Sequence, residues 1–349
     1  MNKLQPFYNL LPQIGLGKRK TSTDSSVLFM RTLQLLALAI WCLGGLVSCK
    51  QEDISATTST FVANVTDINN YAISKGISGS STASGLYFAV TKASSSSVTA
   101  VYQDELEFTY KMYVLSGPSN STVTSATATS STVVTDKLVD TVYARTPTFV
   151  PFFAGVLKAG LEEGLLKMNE GASVILLVPS TLAFGDVATT TSGGVVPANS
   201  PVRFDVTLNR ARTETQRLNE YASSTGLSFT TTSTGLRFAL TKANPSGDSA
   251  VAVAQNKKGL TLDIRYVGKQ LYARNAIGFD STGTGLNQYN NAGFKEALSR
   301  LRVGERATVL FPSSLGYGTS GLVVGESDKT YKIPPYTPLR YDIEVVSAR

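Results

Sequence analysis

The side chains that most enzymes use for covalent or metal chemistry are scarce in this chain of 349 residues, which has no histidine and only two cysteines, Cys42 and Cys49. Without imidazole there is no histidine-activated nucleophile, and so few thiols do not supply the usual zinc sites. The pair that looks most like acid–base machinery is Glu162 with Glu163. Adjacent residues on a helix do not face each other, and acids in a first helical turn suit the backbone dipole, so the pair reads as structural. Chemistry in this chain therefore has to proceed without imidazole, thiolate or zinc.

The elements that would position a site are written twice. From Gly160 to Leu208 run a short helix, a buried strand, a bend carrying an aromatic, a proline-bearing loop and an alternating strand, and the same order returns between Gly293 and Val345. Leu161, Leu165 and Met168, and again Phe294, Leu298 and Leu301, fall at i, i+4 and i+7, which gives each helix one apolar stripe. Gly171 and Gly304 read as helix stops. The apolar runs Val174–Val178 and Ala307–Phe311, closed by Pro179 and Pro312, read as strands. Val202–Leu208 and Leu339–Val345 alternate apolar and polar residues, as half-buried strands do. Upstream, Asn69-Asn70-Tyr71-Ala72 with Gly85-Leu86 recurs as Asn219-Glu220-Tyr221-Ala222 with Gly235-Leu236. Each copy thus opens with a helix, stopped by Gly76 or Gly226, ahead of its first strand.

The first 48 residues read as an address. Arg31 precedes an apolar run, Leu33–Gly45, too short to span a bilayer comfortably, and the run ends in Leu46-Val47-Ser48-Cys49. This order resembles a bacterial lipoprotein signal in which Cys49 becomes the lipidated first residue of the mature chain, with translation starting at Met1 or at Met30. Residues 1–48 hold five basic residues and one acidic residue, which accounts for +4 of the formal +7 and leaves about +3 on the remainder. No clustered basic face survives, so no nucleic-acid partner is expected, and neither is a metal. The organisation expected is a signal peptide over 1–48, lipidated Cys49 with a flexible tether over 49–66, and domains over 67–210 and 211–349. Thr213 and Gln216 are spaced as a capping box just past Arg210, so the two domains are joined closely. The Ser/Thr/Gly tracts 94–97, 116–135 and 188–194 read as insertions at loop tips.

Each repeat resembles an FKBP-type peptidyl-prolyl cis-trans isomerase domain, and the whole resembles the FKBP-like lipoproteins of Bacteroidetes-type bacteria. The resemblance rests on Gly160-Leu161-Glu162-Glu163-Gly164-Leu165 with Ala183-Phe184-Gly185 in the first copy. In the second it rests on Tyr266, Phe279-Asp280-Ser281, Gly316-Tyr317-Gly318 and Ile333-Pro334-Pro335. It implies an α+β fold, two twisted antiparallel half-barrel sheets each wrapped around one short helix. It also implies a reaction that needs no cofactor. Rotating an X–Pro bond crosses a barrier of about 18–20 kcal/mol with no bond made or broken, so a dry aromatic pocket that favours the twisted amide suffices.

By the same resemblance, the second repeat would use Tyr266, Asp280 and Tyr317 on the substrate carbonyl, with Phe279, Phe294, Ile333 and Tyr341 gripping proline. The first repeat would line its pocket with Tyr110, Asp140, Phe149, Val156, Leu157, Leu161, Phe184, Val196 and Phe204. There Val139 replaces the family's phenylalanine, Leu161 the floor aromatic and Phe184 the tyrosine of the bend, so weaker turnover is expected. In the second repeat only twelve polar residues separate Asp280 from Gly293, which leaves out a family strand. The expected function is a membrane-anchored isomerase and folding helper acting on proline-containing exported polypeptides, in the outer membrane at the periplasmic side or the cell surface. The alternative is a catalytically inactive peptide- or ligand-binding lipoprotein on the same fold.

Overall fold

The computed structural model describes residues 51–116, 135–142, 148–250, 252, 262–271, 276–282, 291–324 and 331–348. The leader and Cys49 lie outside the described residues, as does most of the tract 116–135.

The first described element is a helix, α1 (Gln51–Ser74). The sequence had suggested a flexible tether as far as residue 66, and the difference has a physical cause. Phe61, Val65, Ile68 and Ala72 recur at i, i+4, i+7 and i+11 among the Ser and Thr residues, which is a helical stripe with a surface to land on. Ile68, Tyr71 and Ala72 bury against Leu115 and Leu177 of the sheet. Gly76 ends this part of the chain at φ 63°, as Gly226 does at φ 70° after the corresponding helix of the second repeat.

The first repeat continues as β1 (Ser80–Ser81), β2 (Tyr87–Lys92), β3 (Glu105–Ser116), β4 (Thr135–Val142), β5 (Thr148–Pro151), α2 (Ala159–Leu165), β6 (Ser173–Val178), β7 (Thr189–Thr191), β8 (Gly194–Val196) and β9 (Val202–Arg212). Its sheet is antiparallel, in the order β1-β2-β6-β9-β3-β4, with β5 also on β3 and β7–β8 a separate hairpin. The second repeat begins one residue after β9. Thr213 caps α3 (Glu214–Ser224), and the capping box with Gln216 is present on both sides. β10 (Thr230–Thr231), β11 (Arg237–Lys242), β12 (Leu262–Leu271), β13 (Ala276–Ser281), α4 (Ala292–Ser299), β14 (Arg306–Phe311), β15 (Leu322–Val323), β16 (Tyr331–Ile333) and β17 (Leu339–Ala348) follow. They give the order β10-β11-β14-β17-β12-β13, the counterpart of the first sheet. Among the described residues of the second repeat, β5 has no counterpart.

Each sheet has two covered faces, and the alternation of its strands sorts the residues between them. In β6, Val174, Leu176 and Val178 join the core beneath α2, while Leu177 turns to α1. In β14, Ala307, Val309 and Phe311 pack under α4, while Leu310 meets Leu218 of α3. Leu161, Leu165 and Met168 of the first repeat, and Phe294 and Leu301 of the second, are buried as their spacing predicts, while Leu298 is partly buried and Ala297 beside it is fully buried. Every fully buried aliphatic or aromatic side chain contributes about 1.5–3 kcal/mol. Close approach is set by glycine, since a Cβ at Gly293 would lie 2.6 Å from the Phe311 ring. Gly164 sits as tightly against Leu176.

Candidate functional site

The centre of the first site is made by a β-bulge. Met112 pairs with Asp140 and Tyr113 with Leu138, so Val139 is an extra residue in β4. The bulge turns Val139 into the core and leaves Asp140 on the same face as Tyr110. The Tyr110 hydroxyl donates to Asp140 Oδ2 at 2.6 Å. Asp140 Oδ1 accepts from the Thr141 amide at 2.9 Å and from the Ser192 hydroxyl. Burial pushes the Asp140 carboxyl upward, but the bonds from Ser192, Tyr110 and Thr141 outweigh it and hold the group below the usual aspartate range. Burial, and then the bond to Asp140, push the Tyr110 hydroxyl above its ordinary value. At neutral pH the pair is a carboxylate and a protonated phenol, fixed donor and acceptor with no proton to exchange.

The pair opens on a cleft of about 530 Å³. Of the residues singled out from the sequence, Tyr110, Asp140, Val156, Leu157, Leu161, Phe184 and Phe204 line it together. The Phe204 ring stands edge-on to Tyr110, with centroids 5.8 Å apart. Val196 is fully buried in the core of this repeat and is not in the lining. Phe149 is not brought to the cleft. β5 pairs it with Glu107 and sends its ring to within 5.9 Å of the Arg212 guanidinium, while the neighbouring Val150 packs on the core. Phe149 and Val150 thus face opposite sides of β5, and Val150 is the one turned to the core.

Several cleft residues were missed by sequence reasoning. Thr189, Thr190, Thr191 and Ser192 line the mouth, because the tract taken as a loop tip folds as the β7–β8 hairpin. Thr191 Oγ1 and the Gly193 amide both donate to the carbonyl of the bulged Val139, so the hairpin docks on the bulge. Gly193-Gly194 between Thr and Val residues was the available signal, since a Gly pair flanked by β-branched residues favours a tight hairpin. Lys158 also lines the cleft, with Nζ 4.9 Å from the centroid of the Phe184 ring. Glu162 and Glu163 are structural, as expected. Glu162 accepts from the Leu157 amide at 2.8 Å and the Gly155 amide at 3.2 Å, which pins the loop carrying Val156, and Glu163 accepts from the Ser84 hydroxyl.

The second repeat has the same bulge, with Gly268 opposite Asp280 and Lys269 opposite Gly278, so Phe279 is the extra residue. Around it the aromatic set comes together. Tyr341 is fully buried at the centre, with Phe294 at 5.3 Å, Phe279 at 5.8 Å, Tyr266 at 6.1 Å and, on its other side, Phe311 stacked at 5.6 Å. Tyr266 lies edge-on to Phe294 at 5.2 Å, and Tyr317 edge-on to Phe279 at 6.4 Å. Ile333 is fully buried in the same cluster. The backbone of Asp280 is in β13, and its side chain lies outside the described residues.

The FKBP-type peptidyl-prolyl cis-trans isomerase family matches the chain twice, over residues 116–209 and 254–346, which together exceed half its length. The chain belongs to this family. Its two FKBP domains carry the antiparallel sheets and few helices of that fold. No curated protein matches it in sequence. Among solved structures, the three FKBP domains of wheat FKBP73 align at 18% identity over 76% of this chain and 94% of that one, with a TM-score of 0.31. FkpA from Escherichia coli aligns at 20% identity over 55% of this chain and 75% of that one, with a TM-score of 0.32. A peptidyl-prolyl cis-trans isomerase from Pseudomonas syringae aligns at 17% identity over 45% of this chain and 96% of that one, with a TM-score of 0.32.

Proposed function

We propose that this FKBP protein catalyses cis–trans isomerisation of X–Pro bonds in exported polypeptides, held to the outer membrane by lipid on Cys49 and working at the periplasmic side or the cell surface. The observation that carries the catalytic part is the Tyr110–Asp140 pair opening on an apolar cleft of about 530 Å³. A proline ring seated on Leu161 and Phe204 loses water, and the twisted amide, less dipolar than the planar one, is favoured in a dry apolar site. Each tenfold of rate requires only about 1.4 kcal/mol of preference for that state. Nothing in the cleft need act as nucleophile or acid. In the second repeat, Phe294 forms the aromatic floor and Tyr317 offers a hydroxyl from the bend, with Tyr266 and Asp280 in the places of Tyr110 and Asp140. We assign the faster turnover to the second repeat on that basis.

The test is the isomerisation rate of a short X–Pro peptide with the chain from residue 52 onward, beside Tyr110→Phe and Tyr266→Phe. Catalysis should fall in both variants, more in the second. A folded protein that does not accelerate the peptide at all would leave the inactive peptide-binding module as the correct reading. The anchor is tested separately: Cys49→Ser should move the protein from the membrane pellet to the soluble fraction, and a variant that still sediments with membranes would sink the lipid assignment.

A further inference from the structure

In both repeats the bend that carries the aromatic is tied into a closed circuit of four hydrogen bonds, and in both the circuit is closed by the helix that opens the repeat. In the first, the Ser180 amide donates to Asn64 Oδ1 at 2.7 Å. The Gly185 amide donates to the Ser180 carbonyl at 2.8 Å, and the Asn199 amide to the Gly185 carbonyl at 2.8 Å. Asn64 Nδ2 then completes the circuit by donating to the Asn199 carbonyl at 3.1 Å. Phe184, which lines the cleft, lies between Ser180 and Gly185.

The second repeat has the same circuit through different chemistry. The Ser313 amide donates to Glu214 Oε1, the Gly318 amide to the Ser313 carbonyl at 2.8 Å, and the Tyr336 amide to the Gly318 carbonyl at 3.0 Å. Glutamate has no N–H to give, so Arg217, three residues on, closes the ring by donating to the Tyr336 carbonyl at 3.2 Å. Asn199 and Tyr336 hold the same left-handed conformation, at φ 58° and 57°. The 150-residue offset of the repeats sets Glu214 in the place of Asn64 and Arg217 in that of Asp67, so the closing donor has moved one helical turn on while the ring is kept.

Both closures are deeply buried. Asn64 is 4% exposed and Arg217 is 3% exposed. In the first repeat one amide side chain ties the Ser180–Gly185 bend to the turn at Asn199, and in the second Glu214 and Arg217 tie the Ser313–Gly318 bend to the turn at Tyr336, which fixes the distance between bend and turn. We infer that the opening helix of each repeat sets the bend that carries its aromatic, through Asn64 in the first repeat and through Glu214 with Arg217 in the second. These are positioning residues for Phe184 and Tyr317. The inference rests on the isomerase reading for its consequence on turnover, and on the ring alone for its consequence on structure.

The experiment compares Asn64→Ala and Glu214→Ala with the conservative Asn64→Asp and Glu214→Gln, each of which keeps the acceptor for the serine amide. Amide hydrogen exchange reports the ring without any assay of turnover. In the alanine variants the Ser180 or Ser313 amide should exchange at least about tenfold faster, while the amides of β6 and β14 stay protected. The conservative variants should keep the serine amide slow. With isomerisation measured per folded molecule, kcat/KM of the affected repeat should fall about tenfold in the alanine variants and recover at least half of that in the conservative ones. Unchanged exchange at the serine amides, or acceleration spread evenly over the whole sheet, would overturn the inference. So would a local loosening that leaves kcat/KM untouched. A parent protein that does not turn over peptide would instead defeat the isomerase reading, with the ring then decided by exchange and by the affinity of a proline peptide.

Discussion

The two repeats build one site in two ways, and the comparison separates what the fold supplies from what the side chains add. Both have the bulge before the aspartate, the bend after the sixth strand of the repeat or its equivalent, and the ring that holds that bend. On this common frame the first repeat places Leu161 and Phe184 around an open cleft rimmed by hydroxyls. The second places Phe294 and Tyr317 in a cluster of rings that pack edge to face. Backbone geometry has been kept where it decides position. The residues proposed to touch substrate differ between the repeats, because a floor or a wall can be exchanged without disturbing the hydrogen bonds that locate it.

The floor residues give the largest expected effect. Phe294 is fully buried between Tyr266 and Tyr341, so Phe294→Ala should destabilise the second repeat by about 3–5 kcal/mol. Leu161 has the cleft on one side, and Leu161→Ala should cost about 2 kcal/mol, at the low end for a leucine truncation. Urea unfolding midpoints check both. Equal losses would mean that the two floors are packed alike and that the contrast drawn between the repeats is wrong. A smaller effect is expected at the bend. Tyr317→Phe should lower the turnover of the second repeat by about tenfold, the size of one lost hydrogen bond in a desolvated site. Phe184→Tyr should raise that of the first repeat by less than this, because its floor remains aliphatic. Peptide isomerisation measured on each single variant decides the matter, and a Phe184→Tyr protein that turns over no faster would place the limit of the first repeat in its floor.

Much of this architecture was legible in the sequence because the physics that sets it is local. The stripes Leu161–Leu165–Met168 and Phe294–Leu298–Leu301 and the box at Thr213 and Gln216 are patterns within a few residues, and the structure packs the stripe residues in the two cores and forms the box, although the helices end at Leu165 and Ser299, short of the stops expected at Gly171 and Gly304. The resemblance of the repeat then located Tyr110 and Asp140 in one cleft. What was not legible depended on distant partners. Residues 51–66 are rich in Ser and Thr and read as a tether, yet Asn64 has its partners 116 and 135 residues away. The Thr-rich hairpin over the cleft depends on the Val139 carbonyl, which is exposed to it only because a bulge frees it from the ladder. Phe149 was expected in the cleft lining and lies on the other side of its strand, since alternation fixes a facing only when the register is known.

Where the repeats meet, an ionic cluster joins them, with Glu105, Arg212 and Arg217 buried and Glu220 at its exposed edge. Arg212 at the end of β9 pairs with Glu105 at 3.0 Å and with Glu220 of α3 at 2.9 Å, and Arg217 reaches Glu105 at 3.4 Å. Breaking one partner of a buried pair is costly, because it strands the other charge away from water. Arg217 is thus engaged at once with a carboxylate of the first repeat and with the Leu271 and Tyr336 carbonyls of the second.

The rings also have a history in time. Asn64 leaves the ribosome 116 residues before Ser180 and 135 before Asn199, and Arg217 leaves 119 before Tyr336. Contacts that close such long loops form late, after the entropy of the intervening chain has been spent. The sheet closes loops nearly as long, since Glu105 of β3 pairs with Arg212 of β9. Sheet and bend are thus both completed only when the end of the repeat has been made, and the helix made at its beginning waits until then for its hydrogen-bond partners.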